Sequence, residues 1–360
     1  MGERPTGADG ADSADSGGDV VAGGAASETG VARVVLDQGW HGVVLRTAAA
    51  ELTVLPEKGC DLVSFVDART GVDVLFRAPW GIPPRATGAW NAVDEPQWLE
   101  RYPGGWQVLC PNGGAASPAP GGGTWGFHGE ASRIPWQVTG TGTDGDTAWL
   151  RAQTRLTAAP LRLDRTIRLT GAAVAITETL ENTGPDAIGV MWSHHPAFGA
   201  PLLGAGARIS TGAGTFVADE LTPGTHLGSG ARGAWPRVVA ADSSTRDLSV
   251  VPGPGERVAT FGYLTDLGPD GAWYEISNPR LGLGVRLSWD AAVWPHAWFW
   301  QEMHASPGHP WWRQAYVCAI EPASTIPGHG VAGAAGADLL HLTGGERRTA
   351  TIAASLVEAG

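Results

Sequence analysis

Cysteine is scarce in this sequence: Cys60, Cys110 and Cys318 are the only three in 360 residues. They are too few and too scattered for a disulfide framework or a zinc site. The first residues, Met-Gly-Glu-Arg-Pro-Thr-Gly, lack the charged-then-apolar pattern of a signal peptide, and no apolar run approaches membrane length. A cytoplasmic protein with no membrane partner is therefore expected. Basic residues are also short: 24 Lys and Arg stand against 36 Asp and Glu, a formal charge of −12. That excess of acid argues against nucleic acid as a partner. Residues 1–30 carry six acids and only Arg4, a net −5, which leaves −7 for the rest. They hold almost nothing to bury, so they read as a disordered acidic tail ahead of one domain over 31–360.

Nucleotide and metal motifs are missing too. There is no Walker loop, no Gly-x-Ser-x-Gly elbow and no His-Glu-x-x-His. Gly121-x-Gly123-x-x-Gly126 and Gly328-x-Gly330-x-x-Gly333 fit a dinucleotide pattern formally, but neither opens a helix in a βαβ unit. His304 and His309 lack a spacing that sets two ligands on one element. No metal and no organic cofactor is expected.

Helical periodicity is absent beyond a turn or two, and what remains is strand-like from Val31 onward. Short runs at 31–36, 42–46, 51–55, 60–67 and 72–76 form a meander. Alternation is clearest at 147–155, 161–169 and 173–181, where Leu161, Leu163, Arg165, Ile167 and Leu169 share one face. Further strands are expected at 188–192, 207–211, 215–217, 258–264, 272–277, 284–289, 297–301, 314–320, 338–343 and 349–356. No internal repeat and no linker divides the chain. Two long irregular stretches, 78–125 and 303–313, interrupt the pattern, and long loops in compact domains are usually functional. Most of the 17 tryptophans fall near these loops, between Trp80 and Trp136 or Trp273 and Trp312. Their faces suit the C–H surfaces of sugars, although core packing is the commoner fate of any one of them.

Three ionisable residues far apart in sequence are expected at strand ends. His195-Pro196 follows the strand from Ile188 to Trp192, and Glu321-Pro322 closes the strand from Gln314 to Ile320. His128-Gly129 ends Trp125-Gly126-Phe127. Proline removes a ladder donor and biases the residue before it towards extended backbone. Opening a pyranose requires removing the anomeric hydroxyl proton while protonating the ring oxygen. A carboxylate and an imidazolium can do this and exchange roles on closure.

These residues carry a resemblance. Over residues 31–357 the chain resembles the aldose 1-epimerase (galactose mutarotase-like) superfamily. Gly59-Cys60-Asp61-Leu62 with Thr70-Gly71-Val72-Asp73 is similar to its opening hairpin, and Phe127-His128-Gly129 to its His-Gly element. Leu180-Glu181-Asn182-Thr183-Gly184, His195-Pro196-Ala197-Phe198 and Val317-Cys318-Ala319-Ile320-Glu321-Pro322 resemble its catalytic segments. Leu342-Thr343-Gly344-Gly345-Glu346-Arg347 resembles its closing hairpin. The resemblance implies an all-β fold, a single large antiparallel β-supersandwich. It also implies His195 as general acid, Glu321 as general base, and His128 as a sugar contact near the ring oxygen. The implied activity is mutarotation of a small-molecule sugar by a monomer or homodimer. The motif departs in places. Where well-characterised galactose mutarotases carry Asn-Arg-Ile, this chain has Pro111-Asn112-Gly113-Gly114, so the sugar-binding arginine is missing or replaced, with Arg101 or Arg133 as candidates for its place. Asp266 is the candidate for the sugar-binding aspartate and Trp300 for a stacking face. Ala197 stands at the signature tyrosine.

Two other functions compete. The same fold serves as a non-catalytic carbohydrate-binding module, against which retention of both His195 and Glu321 argues. A glycan-active lyase or hydrolase would need paired carboxylates, for which Glu302 and Glu321 are the candidates.

Overall fold

A computed structural model describes residues 28–85, 94–221, 226–327, 329–334 and 339–360. Most of the acidic tail, residues 1–27, lies outside the described residues, as do Gly328 of the second glycine motif and Asp338 of the expected 338–343 strand.

Two antiparallel sheets pack face to face. The larger has eleven strands in the spatial order Gly30–Val35, His41–Arg46, Ala50–Leu55, Asp61–Asp67, Trp106–Leu109, Ser193–Gly199, Tyr316–Ala323, His296–Met303, Val258–Thr265, Thr215–Ala218, Arg232–Ala234. The smaller has eight, ordered Arg208–Thr211, Trp273–Asn278, Leu283–Trp289, Arg347–Val357, Ala173–Asn182, Leu161–Thr170, Thr147–Arg155, Gln137–Asp144. This is the expected all-β sandwich. Among the described residues no helix is long and apolar enough to cross a membrane.

Period-two alternation explains the packing. In Leu161–Thr170 the side chains of Leu161, Leu163, Ile167 and Leu169 are buried while their neighbours are half-exposed. Each such burial contributes roughly 1.5–3 kcal/mol. Arg165 shares that apolar face and is buried with them. It is tolerated because Glu178 on the adjacent strand pairs with it, Cys60 O accepts from its Nη1 at 2.7 Å, and Trp136 stacks 4.7 Å from the guanidinium.

Expectation and structure differ at several places. Val72–Phe76 forms only isolated bridges, Val66 with Asp73 and Leu75 with Phe198. Gln137–Asp144 is a strand despite a Gly-Thr sequence without apolar alternation, because it lies at the sheet edge with little to bury. Trp106–Leu109, expected inside a loop, is a fully buried central strand. The histidine strand is displaced: Ile188–Val190 pairs with Leu340–Leu342 in a small ribbon, and Ser193–Gly199 is a separate strand in the large sheet. His195 therefore sits inside a strand and not at its end. Glu321 likewise lies within Tyr316–Ala323.

Candidate functional site

Adjacent histidines in a strand point to opposite faces. His194 enters the sandwich core and is fully buried. Its Nδ1 accepts from Trp106 Nε1 at 3.0 Å, and its Nε2 lies 3.2 Å from Glu178 Oε2. Trp192 Nε1 also donates to Glu178 at 3.2 Å. Burial alone would raise the Glu178 carboxyl, but Arg165 and His194 outweigh it and hold the group at about 2. This network ties Ser193–Gly199 to the opposite sheet, so the next residue, His195, is aimed outward by a rigid neighbour.

The outward face holds the candidate site. Ser193 pairs with Ala323 and Ala197 with Ala319, and continuing that register sets His195 opposite Glu321. No ladder pair forms between these two points. Pro196 and Pro322 each lack an N–H there, so the strands part at the two ionisable residues. His195 Nε2 is 3.5 Å from Glu321 Oε1. Both side chains are buried, and His195 Nδ1 and Glu321 Oε2 have no hydrogen-bond partner among the described residues. Burial pushes the Glu321 carboxyl well above the ordinary carboxylate range. Burial also pulls the His195 imidazole down to about 4, against a smaller opposing backbone hydrogen bond. Both shifts favour the uncharged forms, which places a proton on Glu321 in preference to His195. An ionised glutamate beside a protonated histidine, the state a ring-opening cycle would start from, is the reverse of this distribution.

His128 belongs to the same cluster, its ring centroid 6.0 Å from that of His195. It lies in a turn beyond the Thr124–Trp125 strand, in left-handed backbone at φ 57°. Gly114 N donates to its Nδ1 at 2.9 Å, and His128 N returns a bond to Gly114 O at 3.0 Å. Gly129 must be glycine, because a Cβ there would lie 2.4 Å from Cys110 O. Burial and His195 hold the His128 imidazole well below its ordinary value.

Aromatic rings roof the site. The single turn of helix Glu95–Leu99 is capped by Asp94, whose Oδ1 accepts from Gln97 N at 3.0 Å. It brings Trp98 to 4.7 Å from the His128 ring and 6.1 Å from His195. Tyr102 stands edge-on to His195 at 5.5 Å, and Trp300 lies 5.9 Å away. Ala197 and Ala319 on the sheet leave the space that Tyr102, Trp300 and Trp311 fill. Burial, with the carboxyls of Glu321 and Asp61 nearby, pushes the Tyr102 phenol well above its ordinary value.

The structure brings His195, Glu321, His128 and Trp300 together. Arg101 N donates to Trp98 O at 3.0 Å, and Arg101 and Arg133 lie near enough to each other that Arg133, lowered chiefly by burial and then by Arg101, falls to about 10. Asp266 is not brought to the cluster. It is exposed in a turn after Val258–Thr265, where Arg232 Nη2 donates to it at 3.0 Å and Thr215 Oγ1 at 2.5 Å. Gly113 explains the missing arginine, since a Cβ there would lie 2.8 Å from Trp298 Cη2 and 3.3 Å from Met191 Cε. Trp298 is locked in that space by its Nε1 bond to Thr325 O at 2.7 Å. Glu302 is committed to a loop, accepting from Ala305 N, Ser306 N and Ser306 Oγ at 2.6–2.9 Å. His304 bonds Arg313 O, and His309 faces Glu100. Trp98 and Tyr102 were missed as site residues. Their only signal in the sequence was membership of the long aromatic loop.

Two large antiparallel sheets packed in this way are the fold of galactose mutarotase-like proteins. A galactose mutarotase-like protein from Clostridium acetobutylicum superposes with a TM-score of 0.64 at 13% identity, over 92% of this chain and 99% of that one. A galactose mutarotase related enzyme from Lactobacillus acidophilus does so with a TM-score of 0.58 at 13% identity, over 88% and 97%. A TPR-domain containing protein from Parabacteroides distasonis matches at 0.56 and 14% identity, over 89% of this chain but 48% of its own. The chain belongs to the family described as a domain of unknown function (DUF4432), which matches residues 37–356. No curated protein matches the sequence.

Proposed function

We propose that this chain is an aldose 1-epimerase-type isomerase that interconverts the α and β anomers of a sugar. The observation that carries the reading is the His195–Glu321 pair, set face to face 3.5 Å apart where two prolines part the ladder. One member takes the proton of the anomeric hydroxyl while the other gives its proton to the ring oxygen. The bond from C1 to the ring oxygen breaks as the carbonyl forms. Rotation about C1–C2 and reversal of both transfers closes the other anomer, and the pair returns to its starting state without a co-reactant. The resemblance assigns the acid to His195 and the base to Glu321. Sugar hydroxyls donating to the carboxylate favour its ionised form, which would move the shared proton to the imidazole without changing the total. Trp98 and Trp300 would cover a sugar face, and His128 would contact the ring oxygen side. A soluble cytoplasmic enzyme acting as a monomer or homodimer fits this reading.

A non-catalytic sugar-binding role is the second reading, favoured by the burial that disfavours the charged forms of the acid–base pair and leaves it little exposed. Anomer exchange followed by NMR or polarimetry over aldoses, deoxy sugars and sugar acids separates the two. Exchange that His195→Asn and Glu321→Gln both abolish supports the isomerase. Binding without exchange by any sugar of the panel supports the second reading.

A further inference from the structure

Away from the His195–Glu321 pair, an exposed groove of about 400 Å³ opens between the two long loops. Its walls are Trp80, Pro83, Glu100, His309, Trp312 and Gln314. Trp312 is 58% exposed, unusual for the side chain with most to gain from burial. The backbone presents it at some expense, since Trp312 and Arg313 are consecutive non-glycine residues at φ 46° and 57°. Trp312 N to Gly308 O at 2.9 Å, Arg313 N to Ser306 O at 2.8 Å and Gln314 N to Trp311 O at 2.7 Å hold that shape. Trp80 is fixed from below by its Nε1 bond to Tyr102 O at 2.9 Å and by Trp311 at 5.3 Å. Glu100 and His309 face each other 3.5 Å apart across the rim.

We propose that this groove is a second saccharide-binding site, taking one or two units of a neutral oligosaccharide. The indole of Trp312 offers a flat apolar face for pyranose C–H groups. The Glu100 carboxylate and the Gln314 amide line the same groove and offer acceptors and a donor to sugar hydroxyls. No Lys or Arg lines the groove and Glu100 is the single carboxylate among its lining residues, so it offers neither a basic cluster for an anion nor paired acids for a cation and suits an uncharged ligand. Its volume falls within the range of small-ligand sites, whereas a stable protein interface needs roughly 800 Å² from each partner. The buried ring of Trp311 stands between this groove and Trp300, so the site is separate from the His195–Glu321 pair.

Isothermal titration with maltotetraose, cellotetraose and xylotetraose tests the proposal on the full chain. Saturable binding of at least one is expected, weakened roughly tenfold by Trp312→Ala and also reduced by Glu100→Ala. His195→Asn should leave this binding unchanged, whether or not the His195–Glu321 pair proves to be an isomerase site. Melting temperature guards against misfolding of the loop, and Trp312→Phe should keep most of the affinity. No binding of any of the three, or equal binding by Trp312→Ala, would overturn the proposal. So would a dimer in solution that Trp312→Ala dissociates, since the groove would then be a contact between copies.

Discussion

Lowering the pH probes the shared proton of the candidate acid–base pair in two ways. The His195 imidazole is held at about 4 by burial, against 6.5 for an unperturbed histidine. Forming its cation in the folded site is thus disfavoured by about 3 kcal/mol. The unfolded chain binds this proton first, so folding stability is unaffected above the ordinary histidine value. It declines as pH falls below that value, and the loss is complete below about 4. His195→Gln removes the titrating group. Relative to wild type, the variant should gain about 3 kcal/mol between pH ~7.5 and pH ~4 in urea unfolding. Glu321 works in the other direction: its raised carboxyl contributes stability that is full below the ordinary carboxylate value and lost as pH rises through the folded one. Glu321→Gln should therefore gain on wild type towards alkaline pH. If the isomerase reading holds, kcat/KM for anomer exchange follows a bell whose limbs belong to the pair as a unit. The acidic limb should fall near pH ~4, where the free pair takes up a second proton, and the basic limb where it loses its last. An acidic limb near pH ~6.5, with a His195→Gln stability difference independent of pH, would refute the assignment of the proton to Glu321.

Three further outcomes follow from the same geometry. Glu178→Gln leaves the Arg165 guanidinium buried without its counter-charge and should cost about 3–5 kcal/mol in denaturant unfolding; Arg165→Met with Glu178→Leu should recover most of the loss. His128→Ala frees only the Gly114 N–H and should lower anomer exchange by about 10²-fold while costing about 1–3 kcal/mol of stability; full activity per folded molecule would make the histidine structural. Gly113→Ala sets a methyl against the fixed Trp298 ring and should lower stability by about 1–3 kcal/mol, read by melting temperature, and Trp298→Phe should relieve part of it.

The larger part of this fold is written in local pattern. Leu161 to Leu169 alternates with a period that allows only a strand with one buried face, and its expected and observed bounds agree within a residue. The same alternation put Arg165 on the buried face before any partner was known. Motifs whose residues are neighbours in sequence, such as His195-Pro196 and Glu321-Pro322, were legible for the same reason. Pairing between distant strands was not. That His195 and Glu321 stand opposite each other depends on the register of Ser193–Gly199 against Tyr316–Ala323, which more than a hundred intervening residues leave open. Trp106–Leu109 was hidden because its burial comes from both neighbours and both layers, so no alternation marks it. The resemblance offered Asp266 as the candidate sugar-binding aspartate, but only the packed structure shows Arg232 and Thr215 holding it at the surface. The proton's place is the clearest case. Sequence names a histidine and a glutamate with ordinary affinities, and it is their common burial, a property of the assembled sheets and the aromatic roof, that raises one and lowers the other.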